Sequence, residues 1–175
     1  HEVKESSCFE AQTPTSIFTM PAISIPSSRT VSVVGDRYTF VVSGEETGGA
    51  FALMDFHVPV NHGPPPHVHS REDETFYVLD GEFEFTVAGQ SQRLVTGQSL
   101  VAPRHIPHTF RNVGTSMGRM IVVVTPAGLE KFFAEIGVPL PSADSPPVEP
   151  TAADIERLKE AAPRYGLTLL PPPAP

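Results

Sequence analysis

The sequence predicts an all-β domain, an antiparallel sandwich or barrel followed by two C-terminal helices. Proline (20) and glycine (13) are abundant among the 175 residues, which suits many short strands joined by turns better than a helical bundle. Between Arg37 and Thr125, short alternating segments recur at regular spacing with no helical stripe between them. Hydrophobic residues make up 39% of the chain, enough for a core at single-domain length.

Residues 1–30 are rich in Ser, Thr and Pro with weak periodicity, and read as an N-terminal arm with at most one docked strand. The chain begins at His1, and Met20-Pro21 resembles a native start. Residues 1–19 are therefore expected to be an extension, with a processed mature chain equally compatible. The barrel is expected over 31–126. Its first clear strand, 37–43, sets Tyr38, Phe40 and Val42 on one face. After a turn at 44–49, strand 50–58 sets Ala52, Met54, Phe56 and Val58 on its apolar face, with Asp55 and His57 opposite.

Residues 61–66, NHGPPP, break that pattern. Three prolines fix φ and lack N–H donors, so the stretch is a stiff extended lead-in to His67. Strands over 74–80, 82–88, 92–95, 99–102, 108–113 and 119–125 follow, divided by glycine turns and the PRHIP segment. Leu129, Phe132, Phe133 and Ile136 then form one helical stripe ended by Gly137. A Pro-rich loop leads to a helix over 151–162, with Thr151 as N-cap and Asp154 completing a capping box. Pro163 cannot continue it, 165–170 reads as a short docked extended piece, and PPPAP as a frayed end. Residues 127–175 are thus a helical, Pro-rich tail packed on the barrel.

Twelve basic residues against 20 acidic ones leave a net charge of −8, which argues against nucleic acid or an anionic membrane surface as partner. No apolar run approaches the roughly 20 residues that span a bilayer. Cys8 is the only cysteine, so there is no intrachain disulfide, no cysteine-type zinc site and no sign of an oxidising compartment. A cytoplasmic location is expected.

His67 and His69 are two residues apart, so a strand points both rings to one face. Such pairs are common on exposed strands. Glu74, brought back by a hairpin, and His108 turn this one into a set suited to a single divalent transition metal per chain: iron, manganese, nickel, copper or zinc. The competing reading is a histidine cluster in a barrel core without metal. His105 sits in a turn and reads as solvated or supporting, His57 and His62 as rim residues, and Arg71, Glu72 and Asp73 as solvated loop charges. Phe76, Val78, Phe85 and Phe110 follow the core periodicity. Tyr38, Phe56, Phe76 and Phe110 are the candidate pocket walls, while Phe132 and Phe133 are expected to close one side of the barrel.

Two stretches resemble the paired signature of the cupin superfamily. In the first, His67, His69, Glu74 and Gly81 match HxH, four residues, Glu, six residues, Gly. In the second, Gly97, Pro103, His108 and Asn112 match the glycine, proline, histidine and asparagine positions. Two glycines depart from the pattern: Asn61 stands at the first, where Gly63 can serve the turn, and His105 at the second. The resemblance covers roughly residues 30–126, and the following GLEKFFAEIGVPLP is similar to the tail of single-domain, quercetin 2,3-dioxygenase-like cupins. It implies a double-stranded β-helix, or jelly-roll barrel, with His67, His69, Glu74 and His108 as metal ligands. It also implies a metal-dependent dioxygenase that opens an aromatic or enol-containing small molecule, with Glu74 as the catalytic base. Alternatives within the same family are a small-molecule-binding cupin without turnover, or an isomerase or decarboxylase. A homodimer formed by exchange of residues 20–35 is a further implication.

Overall fold

A computed structural model describes residues 29–171. The expected extension over 1–19, nearly all of the arm over 1–30 and residues 172–175 of the expected frayed end lie outside that range. The strands are β1 (Thr30–Val33), β2 (Asp36–Val42), β3 (Ala52–Val58), β4 (His67–His69), β5 (Asp73–Asp80), β6 (Glu82–Val87), β7 (Gln90–Val95), β8 (Ser99–Ala102), β9 (His108–Asn112) and β10 (Gly118–Thr125). Helix α1 (Leu129–Ile136), β11 (Val138–Pro139), helix α2 (Ala152–Ala161), a 3-10 turn (Ala162–Tyr165) and β12 (Leu167–Leu169) complete the order.

All ladders are antiparallel, in two sheets ordered β11-β1-β2-β3-β10-β5-β8 and β12-β4-β9-β6-β7. This is the jelly-roll barrel that the paired signature implies. Period-two patterning decides which face is inward. Ala52, Met54, Phe56 and Val58 of β3 are buried beside Met120, Val122 and Val124 of β10, and Phe83, Phe85 and Phe110 face them from the other sheet. Outside, Asp55 and Arg119 pair at 2.7 Å.

The central correction concerns β4 and β5. They do not form a hairpin: β4 pairs with β9 and β12, whereas β5 pairs with β10 and β8. The interval between His69 and Glu74 is therefore a crossover from one sheet to the other. β1 and β11 were not separately expected, and β1 pairs within the chain with both β2 and β11. Of the segment 20–35 expected to exchange between protomers, only this end is described.

Two glycine departures are resolved by backbone geometry. Asn61 and His105 both take left-handed conformations, each at φ 66°, which a non-glycine residue adopts at some strain. Gly63 is needed for a different reason: at φ +151° a Cβ there would lie 2.0 Å from the Phe110 carbonyl oxygen. Asn112 also has a structural task. Its side-chain amide donates to the Val58 and Ser116 carbonyls, both at 2.8 Å, and its Oδ1 accepts from Gly114 N–H at 2.9 Å. That knot ties β3, β9 and the turn into β10 together.

The tail closes the barrel. Helix α1 buries Leu129, Phe132 and Ile136, and buried Glu130 accepts from Gly44 N–H at 3.1 Å, which pins α1 to the turn after β2. The capping box at Thr151 and Asp154 is formed. Arg157 of α2 donates to the Ile136 carbonyl at 3.1 Å, satisfying an otherwise free carbonyl at the end of α1. The extended piece expected over 165–170 is β12, laid along the histidine strand with Leu167 opposite His69 and Leu169 opposite His67. Among the described residues no helix is long and apolar enough to cross a membrane.

Substituting Gly63→Ala is expected to destabilise the fold by at least about 3 kcal/mol, because backbone and not a flexible side chain occupies the space. Urea unfolding monitored by circular dichroism measures this.

Candidate metal centre

Four side chains from three strands meet inside the barrel. One ligand atom each from His67, His69, Glu74 and His108 lie within 4.8 Å of one another, and all four residues are buried. β4 presents its two histidines inward by period-two alternation, and the β4–β9 ladder sets His108 directly opposite His67. Glu74 reaches in from the opposing sheet. Its Oε2 lies 2.7 Å from Nε2 of His108, 3.3 Å from Nε2 of His69 and 3.9 Å from Nε2 of His67.

The outward sides of the rings explain this orientation. His67 Nδ1 lies 2.8 Å from the Pro65 carbonyl and His108 Nδ1 lies 3.0 Å from the Ile106 carbonyl. An Nδ1–H donated to each carbonyl leaves the Nε2 lone pair turned inward, as metal coordination requires. Pro65 belongs to the stiff NHGPPP stretch, so the rigidity read from the sequence holds a carbonyl against a candidate ligand.

Glu72 is the polar neighbour on the outward side of His69, close to it without a hydrogen bond. It is 3% exposed, contrary to the solvated loop charge expected, and its Oε2 lies 3.6 Å from His69 Nδ1. The available signal was parity: Glu72, Glu74, Phe76 and Val78 are all buried on the inward face once the chain has crossed between sheets. Arg71 is exposed, and Asp73 is half-buried in a two-pronged pair with the Arg104 guanidinium.

Charge is strongly perturbed here. Burial alone would raise the Glu74 carboxyl, but the positive His69, the hydrogen bond to His108 and the nearby His67 hold it well below the usual carboxylate range. Burial opposes charge on His69 too, yet Glu74 and Glu72 push that imidazole up to about 9. Burial keeps His67 below the ordinary imidazole value.

The donor set fits a single transition metal. Three inward Nε2 atoms around a carboxylate oxygen repel one another unless protons or a cation lie between them. His69 has no hydrogen-bond partner at either ring nitrogen, an arrangement that a metal at Nε2 and Glu72 at Nδ1 would satisfy. The absence of sulfur excludes blue-copper and iron–sulfur chemistry.

A cavity of about 70 Å³ opens from the cluster, with His67, His69 and Glu74 in its wall. Phe56 and Phe110, two of the four pocket candidates, line it; Tyr38 and Phe76 do not, and are buried behind it. Tyr38 stacks on Phe56 at 3.6 Å between ring centroids and donates its hydroxyl to Asp36 Oδ2 at 3.2 Å. Phe132 and Phe133 line the cavity from α1 and so close one side of the barrel. His57 and His62 are partly exposed and lie 3.6 Å from Asp55 and Asp36 respectively. His105 holds its turn through its backbone N–H, which donates to the His69 carbonyl at 2.7 Å. Sequence reasoning missed Asp36. It is 4% exposed, lines the cavity, and among the described residues is the only side chain with charge there besides the cluster.

Residues 54–124 match the cupin domain family. The barrel is a cupin domain. Among curated proteins, this cupin is 30% identical over 134 residues to a quercetin 2,3-dioxygenase of Aspergillus japonicus, covering 73% of this chain and 38% of that one. It is 28% identical over 135 residues to a quercetin 2,3-dioxygenase of Bacillus subtilis, covering 73% of this chain and 40% of the relative. The chain thus spans about two fifths of the length of these relatives. A solved structure from Thermotoga maritima, described as a predicted oxalate decarboxylase, shares the fold with a TM-score of 0.52 at 20% identity, over 57% of this chain and 92% of that one.

Removing the outward partner of one ligand tests the centre without deleting a ligand. Glu72→Gln is expected to weaken divalent-metal affinity by about 10- to 100-fold, read by competition with a chromogenic chelator. A second expectation concerns Asp36, whose carboxyl burial pushes up to about 7 despite the Tyr38 hydrogen bond. The unfolded chain releases this proton near the ordinary value of 3.8, so the native state loses relative stability as pH rises from about 4 to 7. Asp36→Asn removes that loss of up to about 4 kcal/mol, so the variant should gain on the wild type across this window in thermal melts. His62, at 3.6 Å from Oδ1, and Tyr38 are the groups facing this carboxyl.

Proposed function

We propose that this cupin is a metal-dependent dioxygenase acting on a compact, uncharged molecule that carries an enol or phenol. The observation that carries the reading is the convergence of three imidazole Nε2 atoms and one carboxylate at the wall of an apolar cavity. The 30% identity to a quercetin 2,3-dioxygenase supports the same class of chemistry.

His67, His69 and His108 would hold the ion with Glu74. A bound iron, manganese, nickel, copper or zinc ion would supply Lewis acidity toward an enol oxygen, and a redox-active one would also supply electrons to dioxygen. Glu74 would be the base: it is the carboxylate of the cluster, and the surrounding imidazoles keep it ionised. Phe56, Phe110, Phe132 and Phe133 exclude water from that exchange. Ligand pockets for drug-sized molecules usually start near about 300 Å³. At about 70 Å³, this cavity favours a single-ring substrate over a full flavonol unless the wall moves. Among the described residues no lysine or arginine lines it, which argues against oxalate-like dianions and hence against a decarboxylase of such acids.

Metal-loaded protein in an oxygen electrode, offered single-ring enolones and phenols beside flavonols, tests the reading. Oxygen uptake matched to substrate loss is expected, reduced by at least about 100-fold in Glu74→Gln, with metal content measured on both proteins. Full metal occupancy with no uptake on any of these substrates would replace the dioxygenase with a ligand-binding cupin.

A further inference from the structure

On the side of the β1–β2 hairpin, one residue divides the cavity from the surface. Val34 lines the cavity of about 70 Å³, and it also lines a hollow of about 10 Å³ walled by Ile136, Val138, Val148, Glu149 and Pro150. Among the described residues no other lines both. Val148 and Glu149 are exposed, so the hollow faces solvent and the Val34 side chain is the partition behind it.

The backbone at this point is unusual for a valine. β1 and β2 pair up to Val33 opposite Asp36, which leaves Val34 and Gly35 as a two-residue loop at φ 50° and 87°. Positive φ at both positions is the primed hairpin turn that Asn-Gly or Asp-Gly fills with ease. A β-branched residue there is strained, and such strain persists only where the surroundings over-determine it, most often beside functional sites. Turn chemistry therefore does not account for Val34. Its side chain, packed against the core and between the two hollows, does.

The other walls are braced. The Pro64 carbonyl accepts the Thr109 hydroxyl at 2.7 Å, the Pro65 carbonyl lies 2.8 Å from His67 Nδ1, and β12 is laddered to β4. Helix α1, which supplies Phe132 and Phe133, is pinned through Glu130. Outside the hairpin pairing itself, no hydrogen bond reaches Val34 or Gly35 among the described residues. Contact alone seats the tip: a Cβ on Gly35 would lie 2.9 Å from the His62 ring and 3.6 Å from Pro150. One apolar side chain thus sets the width of the cavity on this side.

We infer that Val34 is a specificity-determining residue, a gate whose bulk limits the cavity to a single-ring substrate and shuts out a second ring. The substrate class is a flat, neutral, single-ring enolone or phenol with no further ring trailing toward the β1–β2 tip. This rests on reading the His–Glu cluster as the metal centre.

Maltol and 3-hydroxyflavone test it, since both carry the same chelating 3-hydroxy-4-pyranone and only the flavone adds a fused ring and a phenyl group. Absorbance titrations of zinc-loaded protein are expected to show the flavone binding at least about tenfold more weakly than maltol. In Val34→Gly, which suits the left-handed backbone and removes the bulk, flavone affinity rises at least about tenfold relative to maltol. Val34→Asn suits the same backbone and keeps the bulk, so it retains the wild-type ratio and separates size from relief of strain. A ratio unchanged in Val34→Gly, a ratio shifted equally by Val34→Asn, or a wild type that takes the flavone as readily as maltol each overturns the inference.

A second measurement needs no metal. Diethyl pyrocarbonate acylates neutral imidazole, and peptide mass spectrometry of metal-free protein compares its rate at buried His67 with that at exposed His105. Val34→Gly is expected to speed the His67 reaction at least about tenfold with His105 unchanged and amide-exchange protection of β3 and β10 retained. An unchanged His67 rate, or a gain matched by lost protection in β3 and β10, counts against the gate. If zinc is not taken up, or neither pyranone binds, the metal-centre or enolone reading fails and the acylation rates alone decide the role of Val34. Full zinc and bound maltol with no effect of Val34→Gly overturn the gate alone.

Discussion

A buried carboxylate ringed by three imidazoles is the constraint on which the rest of the architecture depends. Glu74 comes from one sheet and His67, His69 and His108 from the other. Each of these groups is costly to bury alone, by several kcal/mol for an ion, so the two sheets can close only if the four meet. The crossover after His69 serves that end: it moves the chain between sheets within a few residues and delivers Glu72 and Glu74 on the inward parity. Once those positions are set, the outward polar atoms need partners of their own. The Pro65 and Ile106 carbonyls and Glu72 occupy those places.

Strand β4 is only three residues long, yet it carries two of the four cluster residues. Alone at a sheet edge it would fray, and its histidines would lose their common direction. β9 on one side and β12 on the other prevent this. The C-terminal tail is thus part of the site's support as well as a cover. Its helices bring β12 into place, and Leu167 and Leu169 of β12 line the same cavity as the histidines beside them. The prolines preceding β4 and the close approach of Gly63 to Phe110 fix the other end of the strand.

Much of this was legible in the residues, for reasons that differ by element. Strand faces such as Ala52, Met54, Phe56 and Val58 were readable because period two is a local property. The Thr151–Asp154 capping box was readable because both partners lie within one turn. The four cluster residues stood out by type and spacing. What was hidden was the partner of each strand, since local alternation is the same for a hairpin and for a crossover. Hence Glu74 was expected across a hairpin from the histidines, and Glu72 was placed in a loop. Tyr38 was expected at the cavity because its face was right, but the stack on Phe56 turns it behind the wall. Asp36 gave no signal, because a single aspartate after a glycine reads as a turn residue.

The relation between the two carboxylates of the cavity argues for separate tasks. Glu74 and Asp36 share an apolar enclosure, but their surroundings drive them in opposite directions. Imidazoles around Glu74 overcome the effect of burial and keep it ionised, whereas at Asp36 burial outweighs one tyrosine hydroxyl and raises its carboxyl to about 7. A group that stays ionised is suited to pairing with a cation. A carboxyl raised to about 7, by contrast, is half neutral near neutral pH. Among the described residues no lysine or arginine lines the cavity to even out that difference, so the enclosure is polar at two places and apolar between them.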